Sequence, residues 1–169
     1  LVRMPVGGRF GINNQALPIA IRLETGEGLD DIEVTQSDGG ALHIQCKTSA
    51  TLGLGPRAPL SKTVGQLVRW VADAKATGGL PDLNRNVALL AVHADAPRTL
   101  DTLESACRAF DLGGAWTVTR TQRNQAEREA LDTFEAIASP AWSEYRGAAP
   151  GGGDLADLAR IFRIPRFSW

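Results

Sequence analysis

In the first third of the chain apolar residues recur every second position around a polar turn, and beyond it mostly at helical spacing. Asp31-Ile32-Glu33-Val34 and Leu42-His43-Ile44-Gln45-Cys46-Lys47 alternate on either side of Ser37-Asp38-Gly39-Gly40, a cluster of turn-forming residues. The two segments therefore read as a β-hairpin. Upstream, Ile12, Ala16, Ile19, Ala20 and Leu23 keep helical spacing, with Pro18 kinking or starting the helix, while Leu17, Ile19, Ile21 and Leu23 alternate as a strand would. Both readings stand at this point.

After a Gly- and Pro-rich loop from Leu52 to Pro59, the stripe Val64, Leu67, Val68 and Val71 predicts a helix from about Ser61 to Ala76, which Gly78-Gly79 ends. Val87 to Val92 is a continuous apolar run, as in a strand covered on both faces, and Pro97 opens a helix carrying Leu100, Leu103 and Phe110. Ala115 to Thr119 reads as a strand, and Gln122 to Ala138 as a helix with Leu131, Phe134 and Ile137 inward. This order predicts an α/β domain, a mixed β-sheet flanked by helices, over residues 1–147. Ala148 to Gly153 reads as a flexible linker and Asp154 to Phe162 as a short helix, so residues 148–169 are expected to lead away toward further domains.

At 169 residues, 43% hydrophobic and 22% charged, the chain suits a single globular domain with a full core. No apolar stretch approaches the roughly 20 residues of a membrane span. Two cysteines, Cys46 and Cys107, give neither a disulfide framework nor a metal-ligand spacing. Both are expected to be reduced and buried in a cytoplasmic protein. A net charge of -1 offers nucleic acid no global attraction, so any DNA contact must be local. The start at Leu1, with no signal-peptide pattern, and the apolar end at Trp169 suggest an excised domain.

The hairpin carries the candidate chemistry. Alternation puts Leu42, Ile44 and Cys46 toward the core and His43, Gln45 and Lys47 on the opposite face, the latter two about 6–7 Å apart at the backbone. Asp31 and Glu33 share that polar face only if the turn has odd length. A three-residue loop, Asp38-Gly39-Gly40 with Gly40 left-handed, achieves this and aligns Asp31 with Lys47 and Glu33 with Gln45. An acid, an amide oxygen and a lysine converging on one face suit phosphodiester hydrolysis. Asp31 and Gln45 can coordinate a hard cation such as Mg²⁺, with Mn²⁺ as an alternative, and Lys47 can orient or deprotonate water and stabilise charge on phosphate.

At these residues, Gly28-Leu29-Asp30-Asp31-Ile32-Glu33-Val34 and His43-Ile44-Gln45-Cys46-Lys47-Thr48, the chain resembles the PD-(D/E)xK superfamily of restriction-endonuclease-like nucleases. Its nearest likeness is the Mrr-like branch, where Gln precedes x-Lys. The resemblance covers about the first half of the chain, and the helix at Ser61 and strand at Val87 follow in that superfamily's core order. It implies that Asp31 is the motif aspartate, with Asp30 where the motif's proline often stands. It further implies the Cys46 carbonyl as a metal ligand, and Glu24, or failing that Glu27, as the upstream acid. It also implies a relation to the N-terminal effector nuclease domains of bacterial anti-phage STAND NTPases, which cut double-stranded DNA once self-association assembles them. The neutral Gln45 implies lower metal affinity and greater dependence on Glu24, and leaves a second possibility: a catalytically silent module for DNA binding or assembly.

Elsewhere the residues read more plainly. Lys62, Gln66 and Arg69 share the polar side of their helix, as either DNA-backbone contacts or a solvated face. Arg120, Arg123 and Arg128 are weaker candidates of the same kind. Ser61-Lys62-Thr63 after a Gly-rich loop imitates a phosphate-binding P-loop, but the glycine due before the lysine is Ser61, and Pro56 and Pro59 stiffen the loop. Glu33 reads as a solvent-facing strand residue, His43 as a hydrogen-bonded strand histidine and His93 as a cap. Trp142 and Trp169 are candidates for packing against neighbouring domains.

Overall fold

The computed structural model describes residues 15–23, 31–55, 57–78, 82 and 84–168. Three strands open it: β1 (Pro18–Leu23), β2 (Ile32–Gln36) and β3 (Ala41–Lys47). They form an antiparallel meander. Helix α1 (Pro59–Ala76) then crosses over to β4 (Asn86–His93), which lies parallel to β3. Four helices follow: α2 (Thr99–Arg108), α3 (Trp116–Thr121), α4 (Gln125–Arg146) and α5 (Gly152–Ile161). The chain returns as β5 (Phe162–Arg163) and β6 (Arg166–Phe167), both parallel to β4, completing a six-stranded mixed sheet in the order β1-β2-β3-β4-β5, with β6 also on β4.

Of the two readings for residues 12–23, the strand holds over Pro18–Leu23, and Ile12 lies outside the described residues. The sheet advances from β3 to β4 to β5 in one direction. Right-handed crossovers taken successively in that direction put their helices on the same face. Accordingly Val64, Leu67, Leu103, Phe134 and Leu158 from four helices share one core with Ala88, Leu90 and Val92 of β4 and with Phe162 of β5. The opposite face holds a smaller cluster, Leu42, Val87 and Leu89, with Val34 and Ile44 against it. Strand β4 is buried on both faces, as its unbroken apolar run requires.

Three expectations are corrected. Ala115–Thr119 is not a strand. Gly113 and Gly114 turn the chain with positive φ, and α3 then places Trp116 and Thr119, three positions apart, inward. The Trp116 ring stacks on Phe110 at 5.1 Å and meets Phe134 at 6.4 Å, while its N–H donates to Glu135 at 3.1 Å. Packing of the indole thus outweighs the β-branched Thr-Val-Thr run, whose strand preference is context-dependent. Helix α4 runs past Ala138 and through Pro140 to Arg146, opened by an Asn124–Glu127 capping box and closed by left-handed Gly147. It thereby buries Trp142 in this chain's own core, with the Lys75 ammonium 5.7 Å above the ring. Residues 152–167, expected to lead away, instead belong to the same unit: Leu155, Leu158 and Ile161 enter the core and β5 and β6 pair with β4. No helix among the described residues is long and apolar enough to cross a membrane.

Candidate active site

The turn between β2 and β3 has the expected length but sits one residue earlier. Gln36 and Gly40 pair through Gln36 N–H to Gly40 O at 2.8 Å, leaving Ser37-Asp38-Gly39 as the loop, with Gly39 left-handed at φ 82°. Gly40 was expected to carry the left-handed conformation; it is needed for a different reason. A Cβ there would lie 2.2 Å from the carbonyl oxygen of Arg85, which comes close as Arg85 Nη1 donates to Asp38 O at 3.0 Å. Moving the turn by one residue moves the register by two. Glu33 faces His43 and Ile32 faces Ile44, and the Asp31 N–H donates to Ile44 O at 3.0 Å, so Asp31 lies at the end of the ladder against Ile44 rather than opposite Lys47. The parity, on which sharing a face depends, is unchanged.

The three motif side chains meet. The Asp31 carboxylate accepts from Cys46 N–H at 2.8 Å, from Gln45 Nε2 at 3.4 Å and from Lys47 Nζ at 3.5 Å. The last two lie at the long limit of hydrogen bonding, so these contacts are loose and exchangeable. Lys47 and Asp31 side chains are 29% and 42% exposed, open to an incoming ligand, whereas Gln45 is buried. In an extended strand a residue's N–H and C=O point the same way. The Cys46 carbonyl therefore opens toward the side on which its N–H meets Asp31.

Which face carries these groups differs from expectation. Alternation groups His43, Gln45 and Lys47 correctly, but theirs is the helix-covered face: the His43 ring lies 4.6 Å from that of Trp70 on α1. Leu42 packs on the opposite face, and Cys46 there is exposed rather than buried. Burial of its surroundings, reinforced by the Asp31 charge and partly offset by Lys47, pushes the Cys46 thiol above its ordinary range. A protonated thiol is a poor nucleophile. Glu33 lies apart, 3.9 Å from Arg22.

A carboxylate, a rotatable amide and a peptide carbonyl are oxygen donors of the kind hard divalent cations take, and turning the Gln45 amide would present its oxygen where its nitrogen now meets Asp31. Among the described residues no three His, Cys, Asp or Glu side chains cluster. Glu24 and Glu27 lie outside them. Lys62, Gln66 and Arg69 do come together, in a cleft of about 700 Å³ between α1 and α4, opposite Pro140, Glu144 and Tyr145. No residue lining it comes from β2 or β3. Arg120, a weaker candidate, is engaged by Asp132.

No protein-family model matches this chain, and no curated protein or solved structure matches it.

The sequence reading missed Arg166. Its guanidinium donates to Asp101 at 2.6 Å and to the carbonyls of Ala94, Ala96 and Pro97 at 2.8, 2.6 and 2.9 Å. Two arginines three apart in Arg163-Ile164-Pro165-Arg166, against Asp101, Glu104 and Asp111 at helical spacing, were the available signal.

Proposed function

We propose that this chain is a metal-dependent endonuclease domain of the PD-(D/E)xK, restriction-endonuclease-like kind, acting on double-stranded DNA. The observation that carries the reading is the convergence of Asp31, Gln45 and Lys47 at the end of the β2–β3 hairpin. The hairpin, followed by the crossover helix α1 and then by the strand β4, keeps the order which the resemblance implies. Asp31, Gln45 and the Cys46 carbonyl, joined by Glu24, would hold Mg²⁺ or Mn²⁺. The cation supplies Lewis acidity toward a phosphoryl oxygen and a more acidic bound water. Lys47, half-exposed beside Asp31, orients or deprotonates the attacking water and offsets charge on the phosphate. Asp31 in turn pairs loosely with Lys47 and holds the end of β3 through the Cys46 N–H. Lys62, Gln66 and Arg69 are assigned to backbone contact. One site cuts one strand, so double-strand cleavage calls for self-association, as in a bacterial cytoplasmic anti-phage effector.

A second reading, the silent module, is favoured by one feature: Gln45 presents its NH₂ to Asp31 and thereby satisfies the carboxylate internally. Supercoiled-plasmid cleavage in Mg²⁺ and in Mn²⁺, by the wild type and by Lys47→Ala in the assembled full-length protein, separates the two. Cleavage by the wild type and its loss in the variant support the nuclease. Equal cleavage removes Lys47 from the mechanism, and DNA binding without any cleavage favours the silent module.

A further inference from the structure

The C-terminal ends of β3, β4 and β6 lie side by side. Lys47 faces Val92 in the last rung between β3 and β4, and Val92 faces Arg166 on its other side. On that outer side the Val92 N–H donates to Pro165 O at 3.0 Å and the Ala94 N–H to Phe167 O at 2.9 Å. Strand β6 is only two residues long, too short to stay paired through its ladder alone. Side chains hold it. The four hydrogen bonds of Arg166 bind the loop that leaves β4, through three carbonyls, to Asp101 on α2. Glu104, one helical turn on, accepts from the Ile164 N–H, and Asp111 takes the buried Arg163.

We infer that Arg166 is a positioning residue for Lys47: by clamping β6 against β4 it supports from the far side the rung on which Lys47 sits. Without the clamp, the end of β4 keeps ladder bonds only to β3. A terminal rung paired on one side frays, and Lys47, the last residue of β3, frays with it. Its ammonium, held only loosely at 3.5 Å from Asp31, then samples positions away from the carboxylate. The guanidinium is spent on these internal acceptors, so its role is to fix geometry rather than to touch a ligand.

This assignment rests on the nuclease reading for its functional meaning, but its test does not. The chain has three lysines, Lys47, Lys62 and Lys75. Reductive methylation with ¹³C-formaldehyde therefore yields three lysine dimethylamine signals beside that of the N-terminal amine, each titratable by NMR in the DNA-free protein. Arg166→Ala is expected to move and broaden the Lys47 signal, leave that of Lys75 in place, and raise amide exchange at Val92 and Ala94 by about tenfold or more. Asp101→Asn, a milder change retained in case the alanine variant does not fold, gives the same pattern at smaller size. Arg166→Gln, which adds no amine, restores the Lys47 signal only in part, because a single amide cannot reproduce the fork. Faster exchange at Val92 with an unmoved Lys47 signal overturns the inference, as does unchanged exchange in both variants. Plasmid cleavage by the same proteins tests the other reading separately. A displaced Lys47 in a protein whose wild type never cuts DNA removes the nuclease and leaves the positioning.

Discussion

Two lysines in this chain sit beside aspartates and do so differently. Lys75, near the end of α1, lies 2.6 Å from Asp154 and 2.7 Å from Asp157, its side chain 21% exposed and its ammonium over Trp142. Lys47 reaches Asp31 at 3.5 Å, and its partner is 42% exposed. Both aspartates holding Lys75 belong to α5, so that ion cluster joins two distant stretches of chain. Asp31 and Lys47 sit on a hairpin that the backbone ladder already holds. The first arrangement is saturated and contributes to stability. The second is loose and reachable, as the proposed exchange of partners with a substrate requires.

The sharpest way to break this comparison is to exchange the two losses. Lys47→Ala is expected to lower plasmid cleavage by about 10²–10⁴-fold while stability shifts by no more than about 0.5 kcal/mol, read from the denaturant midpoint. A large loss of stability would make Lys47 a structural residue like its counterpart. Lys75→Met should do the reverse, costing about 2 kcal/mol because Asp154 and Asp157 are left facing each other without their cation, with cleavage per folded molecule unchanged.

The same cluster has a pH signature. Burial alone would lower the Lys75 pKa, but bonds and charge from Asp154 and Asp157 overcome it and raise the value above its ordinary 10.5. A folded-state value above the unfolded one means that the contribution is complete below pH 10.5 and is lost as pH rises through the higher folded value. Melts from neutral pH upward should show the wild type losing its advantage over Lys75→Met in that alkaline range. An advantage that persists there would show that the cluster contributes packing rather than charge.

Smaller effects sharpen the loose site. Gln45→Glu adds a second carboxylate beside Asp31 and is expected to lower the Mg²⁺ concentration for half-maximal cleavage by about tenfold. An unchanged requirement would place the cation elsewhere. Smallest is a thiol effect. Cys46 should be alkylated in the native protein and Cys107, fully buried with its thiol pushed up to about 12, only after unfolding. Asp31→Asn, by removing a charge that raises the Cys46 pKa, should speed native labelling of Cys46 by about threefold; no acceleration would separate the thiol from that carboxylate.

Much of this was legible in the chain, for reasons that differ by element. The hairpin's alternation and its odd turn were readable because parity is a property of counting. Which glycine turns left-handed was not, because Gly40 is constrained by Arg85, brought to it from 45 positions away. Alternation also grouped His43, Gln45 and Lys47, yet it carries no information on which face the helices will cover. That was decided by the crossovers to β4 and β5. The Ala115–Thr119 segment misled because local β-preference was outweighed by the aromatic pocket around Trp116. Glycines at 151–153 looked like a linker, although Leu155, Leu158 and Ile161 just beyond them already carried a buried helical stripe.

The placement of β6 bears on how the protein is made as well as on what it does. Synthesis delivers the hairpin, α1 and β4 early, and the partner for β4's second edge only with residues 162–167. Until they emerge from the ribosome, the most apolar strand of the molecule presents an unpaired row of backbone groups, a template for pairing with another nascent chain. A truncated product that stops before Phe162 would keep the hairpin and its motif residues, yet it should be recovered as aggregate.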